Sequence, residues 1–406
     1  MSAMPLEGVR IADFTWVGVG PFATKFLADF GADVIKIEST LNVDVVRKGR
    51  PFAGGQPGLN RSGYFANRNS SKRSVTVNLK NPEGLILAKD LIRGSDVVIN
   101  NFSSGVMEKF GLHYAEVSKL NSEIVYVDMP MQGMVGPHSG FRGYGAMINA
   151  LSGLYASTGL PGRRPIGTGT NYPDHVPNPL HAAIAIVAAL EYRSHGGGGR
   201  YIEISQLEST ANVLGPYLME ALNATAPDEI LGNNHAVGLP QWVLPCRNEE
   251  WCALPVRTDE QLNKLFAIIG MDPLQSAKTS IDAHQSDQSD ATSALKEYVA
   301  RWLSKQTAEE AMTILQNSGI PAGKVKNAKD LLNDPQLMHR GHWVSVDHPE
   351  MGKSIHDGPV AQLKKTPARL SRPAPLLGQH TREVMLEVLN LKEDEFERLR
   401  LQGVFT

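Results

Sequence analysis

Cysteine is almost absent from this chain, and so is any net charge. Cys246 and Cys252 are its only cysteines, too few for a disulfide framework, so we expect two reduced thiols in a cytoplasmic protein. The 40 basic residues nearly balance the 42 acidic ones, which leaves a formal charge of −2. We therefore expect neither nucleic acid nor an anionic membrane as a partner, because no overall charge would attract it.

Long hydrophobic runs are lacking as well. The longest lies around 182–190 and is about half of the ~20 residues that span a bilayer. The first residues show no basic stretch followed by an apolar core, so no signal peptide is expected. Hydrophobic residues (42%) and charged residues (20%) have the proportions of a globular protein. The length predicts two or three domains, or one large domain with insertions.

What the sequence does contain is an alternation of short strands and helices. Apolar segments of β character occur at 9–15, 32–38, 73–79, 96–100, 124–129 and 201–205. Helical patterns lie at 21–30, 82–93 and 180–193. The last of these, LHAAIAIVAALEYR, is so apolar that we expect it to be buried on most of its surface. Strands separated by helices predict an α/β fold with a mostly parallel sheet.

After residue 205 this alternation weakens. Helices are predicted on both sides of a polar segment and again near the end of the chain, at 261–269, 294–304, 308–318 and 381–389. We therefore predict that the middle portion of the chain forms a second, smaller domain.

A glycine motif opens the first helix. Gly18, Gly20 and Ala23 match G-x-G-x-x-A, and Glu38 stands at the end of the next strand. Together they form nearly the full dinucleotide-binding fingerprint. The alternative is that the glycines make a tight turn and that Glu38 merely ends a strand. The rest of the sequence favours this alternative.

Several longer segments carry a family resemblance. They are PLEGVRIADFTWVGVGPFATKFLADFGADVIKIE (5–38), NVDVVR (42–47), SKRSVTVNLKNPEG (71–84), SDVVINNFSSGVMEKFGL (95–112), GIPAGKVKNAKDLLNDPQ (319–336) and RPAPLLGQHTREVMLEVL (372–389). In this order, over nearly the whole length, they resemble the class III coenzyme A transferases, whose members act on formate and oxalate, carnitine, phenyllactate or benzylsuccinate. The resemblance implies a Rossmann-like large domain over 1–210, a smaller α+β domain with its linkers over 211–330, and a return to the large domain over 331–406, where family signatures recur. It also implies an interlocked dimer.

The resemblance also implies a nucleophile. In this family it is an aspartate shortly before a long alanine-rich helix, and TGTNYPDHVPNPLHAAIAIVAALEYR (168–193) places Asp174 there. A carboxylate can attack a thioester without prior deprotonation. The implied intermediates are an aspartyl anhydride and an aspartyl-CoA thioester. Without this motif, we would interpret Asp174 as a loop residue whose side chain only forms the hydrogen bonds of a turn.

Contacts with CoA are implied in the same way. By position in the matching motifs they come from Val17, Gly18, Val19, Val77, Lys80, Asn101, Phe102, Lys109 and Arg142. Arg47 either contacts CoA or forms an ion pair, and the sequence leaves both open. The implied ligands are an acyl-CoA and an organic acid, with no metal and no permanently bound cofactor. The chain is expected to form a homodimer, or a heteromer with a homologous chain.

Three departures bear on the substrate. Members acting on formate and oxalate carry glutamine where Gly18 stands and arginine where Ser39 and Lys109 stand. They also have a glycine-rich active-site loop, whereas Gly196 to Gly199 follow the alanine-rich helix and serve better as a connector. We therefore expect a larger acid, aromatic or dicarboxylic, with succinyl-CoA as donor.

Two other functions compete with CoA transfer. Racemases of the same fold carry a GHDxNY-type motif, but the corresponding stretch here is GYGAMINA (143–150). His138, His175 and His235 do not replace it, and a core or surface role is expected for each. A non-catalytic subunit of a heteromeric transferase would lack the nucleophile, which is present. Trp242 and Trp251 are either pocket walls or core residues.

Overall fold

A computed structural model describes residues 3–223, 230, 232–233, 241–271 and 290–406. The chain forms two compact units. The first comprises Met1–Leu154, Thr168–Leu222 and Gln336–Thr406, and the second comprises Tyr155–Gly167 and Asn223–Pro335. The first unit is thus assembled from three separate stretches of the sequence.

A six-stranded sheet organises the first unit, and all its neighbouring strands are parallel. Its strands are β1 (Arg10–Asp13), β2 (Asp33–Glu38), β3 (Arg73–Thr76), β4 (Val97–Asn100), β5 (Val125–Asp128) and β6 (Arg200–Glu203). Their order in the sheet is β3-β2-β1-β4-β5-β6. The predicted α/β fold with a parallel sheet is confirmed.

Helices connect these strands and follow them. They are α1 (Val19–Asp29), α2 (Gly63–Asn69), α3 (Pro82–Arg93), α4 (Val106–Lys109), α5 (Tyr114–Leu120), α6 (Gly145–Leu151), α7 (Tyr172–His175), α8 (Pro177–Tyr192), α9 (Gln206–Ala211) and α10 (Gly215–Leu222). Local sequence explains α3 well: the Asn81 side chain accepts a hydrogen bond from the Glu83 N–H, and Pro82 occupies the first turn. This helix has the predicted bounds.

Apolar residues fill both faces of the sheet. On one face Ala12, Val75 and Val98 pack with residues of α3 and of the C-terminal helices α16 (Thr381–Glu387) and α17 (Glu393–Leu401). On the other face Ile11 and Val97 pack with residues of α1 and α8. Strands covered on both faces are typical of parallel sheets. The C-terminal segment therefore completes the core of the first unit.

Helix α8 corrects one expectation. Ala182, Ile186 and Ala189 are buried against the sheet, but Ile184 is 69% exposed and Val187 is 45% exposed. The predicted burial on most of its surface is therefore wrong for the single chain. Only one stripe of the helix faces the sheet, although its sequence is apolar all round. The glycines that follow it lie between α8 and β6, where a connector was predicted.

The second unit has a small antiparallel sheet of β7 (Gln241–Pro245), β8 (Trp251–Pro255) and β9 (Gly323–Lys324). Its helices include α11 (Asp259–Ile269), α12 (Asp290–Leu303), α13 (Ala308–Asn317) and α14 (Ala328–Leu332). Trp242 is only 2% exposed and belongs to the core, whereas Trp251 is 47% exposed. Cys246 and Cys252 are buried free thiols. His235 and most of the polar segment 276–293 lie outside the described residues.

Three elements complete the description: α15 (Pro335–His339) and the antiparallel hairpin of β10 (Trp343–His348) and β11 (Gly352–Asp357). Within the part of the chain that the structure describes, none of the helices combines the length and the apolar character needed to cross a bilayer.

Candidate active site

The strand order of the sheet reverses between β1 and β4. In doubly wound sheets, ligands bind at the carboxyl ends of the strands where the order reverses. A cavity of about 310 Å³ lies at this point, and its walls include Trp16 to Val19 after β1 and Asn101 to Ser103 after β4. The topology therefore locates the candidate site independently of any motif.

Buried polar groups fix the loop after β1. The Asn101 side chain accepts a hydrogen bond from the Trp16 N–H (2.8 Å) and donates one to the Trp16 carbonyl (2.9 Å). The Val17 N–H donates to Asp44 Oδ1 at 3.1 Å, and Asp44 also pairs with Lys36. Val17 has a φ of +66°, which is unfavourable for a β-branched residue. The loop is therefore held in a strained conformation by its surroundings.

Asp174 lies on α7 and opens onto this cavity, although only 5% of its surface is exposed. Two glycines allow the close packing around it. A Cβ atom at Gly18 would lie 3.2 Å from Asp174 Oδ2, and one at Gly145 would lie 2.9 Å from it. Burial raises the pKa of the Asp174 carboxyl to about 6, against the opposing effect of the Arg68 charge. The group is therefore mostly a carboxylate at neutral pH.

Helix α2 brings two residues near Asp174 that were not predicted. The Tyr64 hydroxyl would lie 3.2 Å from a Cβ at Gly18, the same distance as Asp174 Oδ2. The Arg68 guanidinium stacks on the Tyr64 ring at 3.9 Å. Tyr64 and Arg68 are four residues apart on one helix face, and Ser62 caps that helix by accepting from the Phe65 N–H. This spacing is the only sequence signal that could have paired them.

His175 follows Asp174 and has a definite partner on each side. Arg68 Nη2 donates to His175 Nε2, and His175 Nδ1 lies 3.1 Å from Thr170 Oγ1. Because arginine can only donate, Nε2 must accept, and Nδ1 carries the proton. Burial, followed by the Arg68 charge, lowers the pKa of His175 to about 4. The expected plain core or surface role is therefore too simple: a neutral His175 links Arg68 to the segment before α7.

A second cavity of about 690 Å³ lies beside the first, and the two share Trp16 and Phe102. Val17, Gly18, Val19, Asn101, Phe102, Arg142 and Asp174 line the first cavity. Val77, Lys80, Phe102 and Lys109 line the second. Every predicted site residue except Arg47 therefore lies on one of two adjoining cavities.

Arg47 lines neither cavity. Its guanidinium is fully buried and donates to Glu38, from Nε to Oε1 at 2.8 Å and from Nη2 to Oε2 at 2.6 Å. It also stacks on the Phe65 ring at 3.6 Å. The structure thus shows the ion pair that the sequence left open. Glu38, the acidic residue of the dinucleotide fingerprint, is engaged by Arg47 and by the Ser74 hydroxyl.

Metal ligands are not clustered in the described residues. Over 3–223, 241–271 and 290–406, no group of three or more histidine, cysteine, aspartate or glutamate residues could hold a metal ion.

Comparisons with known proteins identify the family of this chain. Residues 6–381 match the model of CoA-transferase family III. Succinyl-CoA:glutarate CoA-transferase of Mus musculus is 32% identical over 408 residues, covering 99% of this chain and 91% of the relative. Succinyl-CoA–D-citramalate CoA-transferase of Chloroflexus aurantiacus is 29% identical over 406 residues, covering 98% of each chain.

A solved structure shows the same fold. The crystal structure of a CAIB/BAIF family protein from Brucella suis matches with a TM-score of 0.85 and 27% identity, covering 95% of this chain and 100% of that chain. The family model spans nearly the whole sequence, and the relatives are CoA-transferases. The chain therefore belongs to CoA-transferase family III, enzymes that transfer CoA between acyl-CoA thioesters and carboxylic acids.

Proposed function

We propose that Asp174 is the covalent nucleophile of this transfer. The observation that supports it is the position of its carboxylate: buried, yet open to a cavity at the switch point of the sheet. An ionised carboxylate that is shielded from water is a better nucleophile than a solvated one, since fewer water molecules must leave it. No other carboxylate lines the first cavity among the described residues.

The reaction would proceed through four displacements. Asp174 attacks the thioester carbonyl of the donor, and CoA leaves as a thiolate, which gives a mixed anhydride. The thiolate attacks the aspartyl carbonyl and releases the donor acid as a carboxylate, which leaves an aspartyl-CoA thioester. The acceptor carboxylate then attacks this thioester and forms a second anhydride with release of the thiolate. Attack by the thiolate on the acceptor carbonyl yields the new acyl-CoA and restores Asp174.

The two cavities would divide the binding of CoA. Lys80 and Lys109 on the second cavity are suited to the phosphates of the nucleotide, because they are exposed cations. The thioester end would enter the first cavity past Trp16 and Phe102, whose rings meet edge to face at 5.8 Å. Binding energy gained on the nucleotide would hold the free thiolate near Asp174 between displacements.

For the acceptor we propose a dicarboxylic acid, with succinyl-CoA as donor. Arg142 lies on the same cavity as Asp174. A guanidinium there is suited to a second carboxylate of the acid. The relatives named for glutarate and for D-citramalate support this choice over an aromatic acid.

We also propose that the enzyme is an oligomer of interlocked chains, either a homodimer or a heteromer with a homologous chain. The support is the apolar surface left uncovered in the single chain, which includes Ile184, Val187, Tyr192 and Leu222. Exposed apolar patches mark interaction surfaces. A monomer at micromolar concentration in sedimentation velocity would contradict this proposal.

We propose a cytoplasmic location as well, which the free thiols of Cys246 and Cys252 support.

The test of the nucleophile is intact-protein mass spectrometry after incubation with succinyl-CoA. We expect a CoA adduct on the wild-type chain that peptide mapping assigns to Asp174. Asp174→Ala should show no adduct and should lose transfer by about four orders of magnitude or more, while still binding CoA. An adduct that maps to another residue, or an Asp174→Ala enzyme that retains transfer, would show that the mechanism is wrong.

A further inference from the structure

Arg68 is a buried cation without a carboxylate of its own. It is 8% exposed, and in the described part of the chain no carboxylate lies within 4.0 Å of its guanidinium. The other buried cations differ: Lys25 pairs with Asp29, Arg47 with Glu38 and Lys72 with Asp13. An unpaired charge is costly to bury. The burial of the Arg68 charge therefore indicates a function beyond stability.

The direct neighbours of Arg68 are all uncharged. Its Nη1 donates to Asn67 Oδ1 at 3.2 Å, its Nη2 donates to the neutral His175, and its plane stacks on the Tyr64 ring. Its Nε is buried and has no hydrogen-bond partner among the described residues. Beyond these direct contacts, two carboxylates act on the Arg68 charge: Asp357 on β11, which accepts a hydrogen bond from the Asn67 side chain, and Asp174.

The nearest functional carboxylate is on the other side of these neighbours. His175, which Arg68 contacts, is the residue next to Asp174. Arg68 stacks on Tyr64, and the Tyr64 hydroxyl and Asp174 Oδ2 both lie beside Gly18. Both contacts place the guanidinium behind Asp174, away from the cavity, because Arg68 is not among the residues that line it.

We propose that Arg68 is a positioning residue that keeps Asp174 in its carboxylate form and thereby sets the lower pH limit of CoA transfer. This inference rests on the proposed role of Asp174 as nucleophile. Burial alone favours the protonated acid, which cannot attack a thioester. The fixed positive charge of Arg68 opposes that effect without forming a direct salt bridge that would occupy the attacking oxygen.

The same charge has a second effect during the reaction. Asp174 is neutral while it is an anhydride or a thioester, so Arg68 then loses one of the two carboxylates that act on its charge, and only Asp357 remains. The buried cation would attract the next anion to arrive, which is the acceptor carboxylate or the CoA thiolate. Arg68 would therefore oppose the accumulation of covalent intermediates and favour the attack of the next nucleophile on them.

Other charged or titratable groups around Asp174 are accounted for. They are Tyr64 on α2, His175 on α7, His181 on α8, the Lys25–Asp29 pair on α1, the Lys36–Asp44 pair at the loop after β1, Asp357 on β11, and Arg142 and Tyr144 on the cavity wall. Of these groups and Arg68, only Arg68 opposes the effect of burial on the pKa of Asp174. The neutral Asn67 and His175 contribute hydrogen bonds and no charge.

The experiment compares wild type, Arg68→Gln and Arg68→Lys in the full-length protein. It measures single-turnover formation of the CoA adduct on Asp174 between pH 5 and pH 9. Wild type should lose its rate below about pH 6, the pKa of Asp174. Arg68→Gln should move this limit upward by about one to three pH units, which is a loss of about fivefold or more at pH 6 and recovery toward pH 9. Arg68→Lys should remain close to wild type.

Arg193→Gln is the matched control. Arg193 is also partly buried, but it pairs with Asp96, the residue directly before β4. Arg193 lines neither cavity. Its removal should leave the pH limit unchanged. If Arg68→Gln does not fold, Arg68→Met offers a second neutral variant, since an unbranched apolar chain can fill the space against Tyr64 and Phe22. The thermal midpoint of each variant reports folding.

The outcomes separate this inference from the proposed function. A wild-type enzyme that forms no adduct on Asp174 removes the proposed function and this inference with it. An adduct in wild type, together with an unchanged pH limit or an equal loss at every pH in Arg68→Gln or Arg68→Met, overturns the role of Arg68 alone. The role of Arg68 is also overturned if the pH limit of Arg68→Lys shifts upward as far as that of a neutral variant. If neither neutral variant folds, any upward shift of the pH limit in Arg68→Lys overturns it.

Discussion

The backbone of Gly18 lies against the carboxylate of Asp174: a Cβ atom at Gly18 would stand 3.2 Å from Oδ2. The same Cβ would stand 3.2 Å from the Tyr64 hydroxyl. Few Cβ atoms have contacts this short, so any side chain at Gly18 must displace one of the two groups. The absence of a side chain here thus determines both the position of Asp174 and the space in front of it.

Gly18→Ala should therefore slow transfer while the chain still folds. A shift of Asp174 by a few tenths of an ångström misaligns the attacking oxygen, and we expect a loss of about tenfold in kcat. Gly18→Gln should act more selectively and disfavour larger acids relative to formate or oxalate, because its side chain would fill the acyl space. Steady-state kinetics with a series of acids would measure both effects.

Gly215→Ala is the control for these substitutions. Gly215 begins α10 and has open space where a Cβ would lie, so alanine should be tolerated or slightly stabilising. If Gly18→Ala and Gly18→Gln retain full activity with every acid, Gly18 does not shape the acyl site.

Removing the charge of Asp174 should stabilise the protein. Its pKa is raised from 3.8 to about 6 in the folded chain, so folding favours the protonated acid. The penalty for the buried carboxylate is absent below the unfolded pKa, grows between about pH 4 and pH 6, and is fully present above pH 6. Asp174→Asn should then gain about 2 to 3 kcal/mol at pH 7.5 and little at pH 4.

Urea denaturation at several pH values would measure this gain. Wild type and Asp174→Asn should have similar free energies of unfolding near pH 4 and should diverge as the pH rises. An asparagine variant that is less stable at pH 7.5 would indicate that the ionised Asp174 stabilises the fold, contrary to the burial argument.

Binding of CoA should depend on salt through Lys80 and Lys109. Both are exposed lysines on the second cavity, and an interaction with phosphates in such a position is screened by ions. Each single change to glutamine should weaken binding by about two- to fivefold and should reduce the salt dependence. Calorimetric titration of CoA at low and high salt would measure the affinity and its salt dependence.

Lys119→Gln provides the comparison for CoA binding. Lys119 is an exposed lysine on α5 that pairs with Glu116, and it lines neither cavity. Its loss should leave the affinity for CoA unchanged. Equal affinities for all three variants would mean that the second cavity does not hold the phosphates.

The pair of Lys72 and Asp13 should be important for stability. Both side chains are fully buried, with Lys72 Nζ 3.2 Å from Asp13 Oδ2, and Asp13 also accepts from the Thr15 N–H at 2.8 Å. Lys72→Met would leave Asp13 charged and unpaired, and should cost about 3 to 5 kcal/mol. The double variant with Asp13→Asn should cost less than the sum of the single changes. Chemical denaturation of the four proteins would show whether the pair is coupled.

Local sequence predicted the secondary structure well where capping residues mark the ends. Helix α3 has the predicted bounds because Asn81 caps it and Pro82 begins it. Strand ends were predicted less well: the apolar segment 73–79 contains a strand only over Arg73–Thr76. Val77 remains buried and Leu79 is half-buried, so hydrophobicity continues after the hydrogen-bonded ladder has ended. An apolar pattern in the sequence indicates which residues are buried, but it does not indicate where the hydrogen bonds between neighbouring strands end.

The candidate site shows a similar division. Asp174 and the loop around Gly18 were found because contiguous motifs carry them. Arg68 and Tyr64 were not found, because their proximity to Asp174 arises only when α2 packs near α7. Buried charges such as Lys72 also escaped notice, since a lysine in a sequence is normally exposed.

The three-part construction of the first unit has a consequence for synthesis of the protein. One face of the sheet is covered by residues of α16 and α17, near the C-terminus, while its strands come from residues before 204. At translation rates of about 5–20 residues per second, the ribosome needs on the order of ten seconds or more to add the missing helices. During that time the nascent sheet has an uncovered apolar face, so this chain is expected to rely on chaperones until its last helix leaves the ribosome.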